Sequence, residues 1–285
     1  MSDVKYDQKH QLMLRKLYYS IPSSWRFWVR RLVFLPEDLL TRKSDLMPPK
    51  GLIYTGRGDF IGQGNQYVEL FKQNGGLKEN AKFLDIGSGI GRVAIPLSNY
   101  LNEGAIYEGF DVIELGVDWC QKNIGAKFSN FHFTYVPLLN DLYRDNGEDA
   151  ANYKFKYKEN YFDYACSVSV FTHMLPKEVA NYFDQLEKVM KPGGIIFSTF
   201  FILNDENRSL MEANDGFNFS HKLDGYYLMD AKVKGANVAF DENYLMNEII
   251  KTNRFKIKKA SYGYWCGRKK ELSFDFQDVL IIEKL

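Results

Sequence analysis

The residues with the clearest chemical potential lie in a glycine-rich run. Asp85 ends a short apolar stretch, and Gly87, Gly89 and Gly91 follow it at alternate positions. Glycine lets the backbone approach a ligand because it has no Cβ, and a helix that begins after such a turn offers unpaired N–H donors. A second acid, Asp111, ends the next apolar stretch, where a carboxylate can accept hydrogen bonds from sugar hydroxyl groups. The pattern predicts a turn that holds a small polar ligand.

The spacing of the glycines separates this turn from a common alternative. It reads Gly-x-Gly-x-Gly, whereas the dinucleotide-binding fingerprint is Gly-x-Gly-x-x-Gly. An acid also stands two residues before the first glycine. Both features argue against a dehydrogenase.

Strands and helices must position these residues, and they alternate along residues 51–285. We predict strands at 82–86, 105–111, 131–136, 161–168, 195–201, 255–261 and 278–283, the last two as an antiparallel pair. We predict helices at 65–72, 116–123, 177–190 and 241–251, and a further helical stretch that ends at 101. This alternation predicts a doubly wound α/β sheet, which binds ligands at the carboxyl ends of its strands.

Together these segments resemble the class I S-adenosylmethionine-dependent methyltransferases. Residues 85–91 match the first motif of that family, Asp111 matches its ribose-binding acid, and residues 162–168 and 191–194 resemble its fourth strand and the approach to its fifth. The resemblance implies a seven-stranded, mostly parallel, Rossmann-like sheet with a reversed last strand. It implies S-adenosyl-L-methionine as cofactor and S-adenosyl-L-homocysteine as product. Residues 169–176 resemble, more narrowly, a bacterial group of small-molecule and glycan-pathway enzymes.

The same resemblance implies a set of cofactor-binding residues. The turn would cradle the methionine part of the cofactor, Asp85 would orient the turn, and Asp111 would hold the ribose. The full set is Arg57, Asp85, Gly87, Ser88, Gly89, Gly91, Asp111, Val112, Leu138 and Ser169. Many relatives carry an acid near position 137, but this chain has Pro137 and Leu138, so adenine would be recognised by backbone groups or Asn140. Arg57 either pairs with the cofactor carboxylate or belongs to an ordinary turn.

Methyl transfer to a hydroxyl needs a general base in addition to positioning, and histidine suits that role near neutral pH. His173 follows the predicted fourth strand, on the side of the methyl donor, and is our candidate base; the alternative is that it shapes the cofactor site. His132 lies inside a predicted strand. Candidate substrate-binding residues, which could equally pack a lid or hairpin, are His221, Tyr264, Trp265 and Arg268. No metal site is expected.

Composition limits the other functions. Lys and Arg total 37 and Asp and Glu total 36, and this near-neutral balance gives no reason to expect nucleic-acid binding. Three widely spaced cysteines without a CxxC pair fit a reducing compartment, so we expect a cytoplasmic protein. Aromatic residues reach 16%, which predicts an aromatic core, a pocket lined with rings, or both.

The N-terminal segment differs from the rest, since its first 50 residues hold ten Lys or Arg and five Asp or Glu. Apolar residues at helical spacing predict a helix within 20–40. It is either a basic amphipathic helix that makes peripheral contact with a membrane, or a cap that packs on the main domain. We therefore divide the chain into a helical extension at 1–50 and a cofactor-binding domain at 51–285, with 204–240 inserted on the substrate side.

The leading functional hypothesis is O-methylation of a small molecule or a sugar or glycan precursor. The alternatives are N-methylation of a small molecule or protein, and a binding module without catalysis. Neither Asn-Pro-Pro-Tyr nor Asp-Pro-Pro-Tyr follows the fourth strand, which argues against methylation of nucleic-acid bases. The sequence leaves the oligomeric state open.

Overall fold

The computed structural model describes residues 23–40, 46–54, 58–139, 147–214 and 216–285, with side chains from residue 28 onward. The chain divides into two compact units, Met1–Gly56 and Arg57–Leu285. This division falls a few residues beyond the boundary that the sequence predicts. The two units are described separately below.

The first unit contains helix α1 (Ser23–Leu40) and a short 3-10 helix (Lys50–Leu52). Asp38 joins them, since its two carboxylate oxygens accept hydrogen bonds from the backbone N–H groups of Lys50 (2.6 Å) and Gly51 (2.9 Å). The Lys50 ammonium also pairs with Glu37 at 2.8 Å. The predicted N-terminal helix is therefore present.

The second unit is built on a seven-stranded sheet. Its strands are β1 (Lys82–Ile86), β2 (Ile106–Asp111), β3 (Phe131–Tyr135), β4 (Phe162–Ser167), β5 (Met190–Phe200), β10 (Phe255–Ser261) and β11 (Asp278–Lys284). They lie in the order β10-β11-β5-β4-β1-β2-β3. β1 to β5 are mutually parallel, whereas β11 runs antiparallel to both of its neighbours, β5 and β10. The doubly wound fold and the reversed last strand are confirmed.

Helices flank this sheet, and local capping explains where they begin. They are α2 (Phe60–Gly75), α3 (Ala94–Tyr100), α4 (Glu114–Cys120), α5 (Pro176–Val189), α6 (Asp205–Glu212) and α7 (Glu242–Tyr244). α2 begins earlier than the sequence predicts because Asp59 caps it, accepting from Gly62 N–H at 2.9 Å. Asp241 caps α7 as predicted, since its carboxylate accepts from Tyr244 N–H.

The Lys191–Gly194 segment differs from its prediction as a turn before the fifth strand. α5 ends at Val189 and β5 begins at once at Met190. Met190 pairs with Phe162, but the next pairing joins Ile195 to Tyr164, so residues 191–194 form an irregularity inside the ladder. Gly193 has φ +77°, a conformation that glycine adopts without strain. The strand is therefore longer than predicted.

The segment after β5 forms a second, smaller sheet. Its strands are β6 (Ile202–Leu203), β7 (His221–Lys222), β8 (Tyr226–Leu228) and β9 (Val238–Asp241), in the order β6-β9-β8-β7. A separate apolar cluster supports it, formed by Phe201, Leu203, Met211, Phe219, Tyr227, Ala239, Trp265 and Cys266. Trp265, one of the candidate substrate-binding residues, is therefore part of a second core.

Candidate functional site

The carboxyl ends of β1, β2 and β4 meet at one edge of the large sheet. From β1 the chain continues to β2 and β3 on one side, whereas β4 and β5 lie on the other side of β1. The crevice between β1 and β4 is therefore the point where the strand order reverses. In open α/β sheets this crevice is where ligands bind.

The glycine turn after β1 adopts the conformation that its composition predicts. Gly87, Gly89 and Gly91 have φ values of +75°, +58° and +83°. The N–H groups of Gly87 and Ser88 both donate to the carbonyl of Phe110, at 2.9 and 3.0 Å, which fixes the turn against β2. Within the described part of the chain, the buried hydroxyl Oγ of Ser88 makes no hydrogen bond to protein. The turn thus offers a polar atom that a bound ligand can engage.

Close packing explains why position 87 requires a glycine. A Cβ on Gly87 would lie 2.4 Å from Cγ2 of Val170, which belongs to the segment after β4. At Gly91 a Cβ would lie 2.8 Å from Cδ1 of Ile124. The glycine turn and the segment after β4 therefore lie in direct contact across the crevice.

Asp111, at the end of β2, ties this strand to the glycine turn. One carboxylate oxygen accepts from Gly89 N–H and the other from Ile113 N–H, each at 2.8 Å. Burial raises the pKa of Asp111 to about 6, while the backbone hydrogen bonds act in the opposite direction. Each carboxylate oxygen keeps a second lone pair, so the ionised group can accept from two adjacent hydroxyls. Val112, beside it, is half-buried against the main apolar core.

Asp85 lies beneath the turn and is sealed from solvent. Tyr107 Oη donates to one carboxylate oxygen at 2.5 Å, and Cys166 Sγ donates to the other at 3.3 Å. Burial raises the pKa of Asp85 to about 6, opposed by these two hydrogen bonds. Since Tyr107 lies on β2 and Cys166 on β4, Asp85 bridges three adjacent strands. Any influence on the ligand passes through the backbone of the turn.

The predicted adenine side of the site is only partly described. Leu138 is 2% exposed and belongs to the main apolar core, whereas Leu139 is exposed. Leu139 N–H donates to the carbonyl of Glu148 at 2.9 Å, which holds this segment in place. Leu138 is thus a core residue, and the neighbouring Leu139 is the one with a free surface. Arg57 and Asn140 lie outside the described residues.

Ser169 occupies a strained position just after β4. Its φ is +57°, which is uncommon for a residue with a side chain. Ser169 N–H donates to Thr199 Oγ1 at 2.7 Å, and Ser169 Oγ donates to Gln277 Oε1 at 3.1 Å. Neighbours on β5 and before β11 therefore hold this conformation. Strained residues of this kind cluster at ligand sites.

His173 lies in a short 3-10 helix (Phe171–His173) that follows Ser169. Its Nδ1 is 2.8 Å from the carbonyl oxygen of Gly235, and its N–H donates to the carbonyl of Val170. A carbonyl accepts only, so Nδ1 carries the proton and the neutral ring has its lone pair on Nε2. The ring is thus fixed to the inserted segment, while the backbone N–H of His173 is bonded to Val170, whose side chain contacts Gly87.

Comparison with known proteins identifies the family. A family model described as a methyltransferase domain matches residues 63–232, more than half of the chain. The chain belongs to this methyltransferase family. It is a class I enzyme whose cofactor is S-adenosylmethionine, as the glycine turn and Asp111 predict.

Solved structures resemble this methyltransferase in fold. The PH0226 protein from Pyrococcus horikoshii OT3 matches with a TM-score of 0.52 and 15% identity, over 82% of this chain and 94% of that chain. The (4+2)-cyclase SpnF matches with a TM-score of 0.50 and 15% identity, over 81% and 84%. Phosphoethanolamine N-methyltransferase 1 from Haemonchus contortus, in complex with phosphoethanolamine and S-adenosylhomocysteine, matches with a TM-score of 0.50 and 12% identity, over 93% and 50%.

The predicted substrate-binding residues of the methyltransferase do not form one open surface. Trp265 is only 2% exposed, and its Nε1 donates to Asp278 at 2.9 Å. Arg268 donates to Glu206 and Asn207, both at 2.8 Å. These contacts favour the alternative that Trp265 and Arg268 pack the hairpin, and their substrate-binding roles stay predictions.

The other two predicted substrate residues remain at the surface. His221 is exposed on the short strand β7. Tyr264 is half-buried, with its ring 5.4 Å from that of Phe276 and the Lys270 ammonium 5.7 Å above it. Their roles in acceptor binding stay predictions.

Asp278 is a buried acid that the sequence analysis missed. It accepts from the N–H groups of Gly263 (2.7 Å) and Ile202 (2.5 Å) as well as from Trp265. Burial raises its pKa to about 7, although these hydrogen bonds lower it. Asp278 thus joins the start of the small sheet to the loop after β10. The one sequence signal for Asp278 is an acidic residue at the start of an apolar strand.

Among the described residues, no group of three or more His, Cys, Asp or Glu side chains could hold a metal ion. In the same part of the chain, no helix is long and apolar enough to cross a bilayer.

Proposed function

We propose that this methyltransferase transfers a methyl group to a hydroxyl of a small molecule or of a sugar or glycan precursor, with His173 as the general base. Bound S-adenosylmethionine supplies the methyl group on its sulfonium sulfur. Residues 87–89 of the turn would hold its methionine part through the close approach of their backbone and through Ser88 Oγ, since their N–H groups already donate to Phe110 and Asp111. Ionised Asp111 would accept hydrogen bonds from its ribose hydroxyls.

The observation that carries the proposal is the fixed tautomer of His173. Its Nδ1–H···O contact with Gly235 leaves the lone pair on Nε2, the atom that a base needs. The Val170 side chain, three residues before His173, contacts Gly87, which supports a place for this segment beside the methyl donor. His173 would accept the hydroxyl proton while the oxygen attacks the methyl carbon.

The test compares His173→Asn with the wild type. The Asn amide can still donate to the Gly235 carbonyl, as Nδ1 does, but it has no basic nitrogen. We expect kcat to fall by roughly 10²–10⁴-fold, the usual contribution of a general base, with S-adenosylhomocysteine affinity unchanged. The acceptor is first found by mass spectrometry of host extracts incubated with enzyme and deuterated methyl donor. Full turnover by His173→Asn would refute the base assignment.

N-methylation is the second candidate, and the fold shared with an N-methyltransferase favours it. A neutral amine attacks with its own lone pair, so the reaction tolerates loss of His173 better. NMR of the labelled product distinguishes the two, because methyl groups on oxygen and on nitrogen have different carbon shifts. A binding module without catalysis would bind S-adenosylhomocysteine and produce no labelled product.

We also propose a cytoplasmic location. Cys120, Cys166 and Cys266 are all buried free thiols, which fits a reducing compartment. Reporter fusions read by fractionation would test it.

A further inference from the structure

Helix α1 presents a broad apolar surface. The exposed fractions of Trp28 and Leu32 are 65% and 68%, large values for side chains of this kind. The exposed apolar residues of the helix are Trp28, Val29, Leu32, Val33, Leu35, Leu39 and Leu40. At 3.6 residues per turn they occupy about 160° of its circumference. We refer to these seven residues as the apolar arc.

The opposite side of α1 is occupied by its own unit. Phe34 and Asp38 are half-buried there and face the short 3-10 helix. Asp38 accepts from two backbone N–H groups of that helix, and the Lys50 ammonium lies 5.0 Å from the Phe34 ring centroid. Glu37 pairs with the same ammonium. Asp38 is thus engaged on the side away from the apolar arc, whereas Glu37 lies just beyond the Val33 margin of the arc and is paired with Lys50.

Basic residues border the apolar arc. By helical position, Arg31 lies beyond one margin of the arc. Beyond the other margin come Glu37, paired with Lys50, and then the half-buried Arg30, whose guanidinium is 5.0 Å from the Phe34 ring centroid. The Arg31 guanidinium is 5.9 Å from the Trp28 ring centroid. The surrounding segment is basic as well, with ten Lys or Arg against five Asp or Glu in residues 1–50. The segment also lies outside the methyltransferase family match, which begins at residue 63.

We propose that α1 lies flat on an anionic lipid bilayer, with the apolar arc in the interfacial region and the bordering arginines at the lipid phosphates. Interfacial helices combine a wide apolar face containing Trp and Leu with Lys or Arg at its margins. Arginine can bury its alkyl stem while its guanidinium reaches the headgroups. This inference does not depend on the nature of the methyl acceptor.

The shape of the apolar arc favours a bilayer over a second copy of the chain. A two-stranded helical seam uses a narrow stripe of two residues in seven, whereas this arc covers nearly half of the helix. Pairing two copies through the arc would also bring arginines of like charge together. A flat apolar medium covers a surface of this width.

The test uses the full-length protein and sedimentation with sucrose-loaded vesicles. One set contains phosphatidylcholine alone, and the other also contains phosphatidylglycerol. Leu32→Asp removes an apolar contact and adds a negative charge at the centre of the face. Leu272→Asp is the matched control, since Leu272 is 69% exposed but lies in the second unit. S-adenosylhomocysteine affinity and the thermal midpoint report whether each variant is folded.

We expect the protein to sediment with the anionic vesicles and to dissociate as salt is raised. Leu32→Asp should lower the partition coefficient by about tenfold or more, and Leu272→Asp should leave it unchanged. The proposal would be overturned if the protein sedimented with neither kind of vesicle. It would also be overturned if Leu32→Asp and Leu272→Asp lowered vesicle binding equally. Two other results would also overturn it, because the apolar arc would then be covered by protein. One is a dimer in light scattering that Leu32→Asp dissociates, and the other is a large fall in the thermal midpoint of Leu32→Asp alone.

Discussion

Gly87 and Gly193 have almost the same backbone conformation but different surroundings. Their φ values are +75° and +77°. A Cβ on Gly87 would lie 2.4 Å from Val170, whereas nothing lies within 4 Å of a Cβ on Gly193. Comparing the two glycines therefore separates two reasons why a position requires glycine. One is the left-handed backbone conformation, and the other is the close approach of a neighbouring side chain.

We predict that Gly193→Ala costs about 1 kcal/mol of unfolding free energy, the strain of a left-handed residue alone. Gly87→Ala should cost about 1–3 kcal/mol more because of the steric clash with Val170. Urea unfolding measures both. Val170→Ala in the Gly87→Ala background should recover part of the loss. Equal costs at the two glycines would contradict the packing argument.

Asp111 makes a prediction about pH. Its pKa is about 6, and only the ionised carboxylate accepts from both ribose hydroxyls. Binding then favours the ionised form, so affinity for S-adenosylhomocysteine should be constant above pH 6 and fall as pH drops below 6. The loss is at most tenfold per pH unit, because one proton is involved.

Calorimetric titration from about pH 5 to pH 8 measures this dependence. Asp111→Asn should bind more weakly at pH 8, and its affinity should no longer vary with pH. Asp85 is the other group that titrates in this range, since its pKa is also about 6. An unchanged pH profile in Asp111→Asn would assign the titration to another group.

Aromatic rings organise the second unit at the scale of its elements. Tyr164, Phe83, Tyr107 and Phe131 occupy neighbouring positions on β4, β1, β2 and β3. Successive ring centroids are 5.4, 5.9 and 4.7 Å apart, with nearly parallel planes. Offset stacking of this kind stabilises neighbouring strands. The Tyr107 hydroxyl also donates to Asp85, so the stack supports the floor of the glycine turn.

Asp278 joins the small sheet to the loop after β10, which gives a prediction for Trp265. Trp265→Phe keeps an aromatic ring but removes the hydrogen bond to Asp278, so we expect a loss of about 1.5–3 kcal/mol in unfolding free energy. Tyr264→Phe, next to it and half-buried, should change stability by less than about 0.5 kcal/mol. Urea unfolding compares the two. Similar values would mean that the bond to Asp278 contributes little.

The sequence predicts the parts of the site that depend on local pattern. Gly87, Gly89 and Asp111 are identified because strand, turn and acid follow one another along the chain. Local pattern does not predict the strained conformation of Ser169 or the hydrogen bonds of Asp278. The strain of Ser169 is held by Thr199 and Gln277, and Asp278 reaches Ile202 across 76 positions. Such contacts exist only after the strands have taken their order in the sheet.

Trp265 and Arg268 are predicted as substrate-binding residues from local sequence pattern alone. Aromatic and basic residues in a loop after a strand have the composition of a binding surface. Their partners, Asp278 and Glu206, lie in distant parts of the sequence. The burial of Trp265 and the ion pair of Arg268 therefore favour a role in packing the hairpin.

The whole molecule combines a near-neutral charge with two separate units. Its net charge of +1 hides a basic N-terminal segment, and the remaining residues therefore carry a net negative charge. The second unit has the fold and the glycine turn of a methyltransferase, while α1 in the first presents an unusual apolar surface. The proposed methyl transfer and the proposed membrane contact thus rest on different units and can be tested independently.

The most direct measurement is calorimetric titration of the full-length protein with S-adenosylhomocysteine, in parallel with Asp111→Ala. We expect saturable binding of one molecule per chain, and at least about tenfold weaker binding by the variant, because two hydrogen bonds to a charged group are lost. Absence of binding to the folded wild type, or equal affinity in Asp111→Ala, would contradict the assignment of this crevice as the cofactor site.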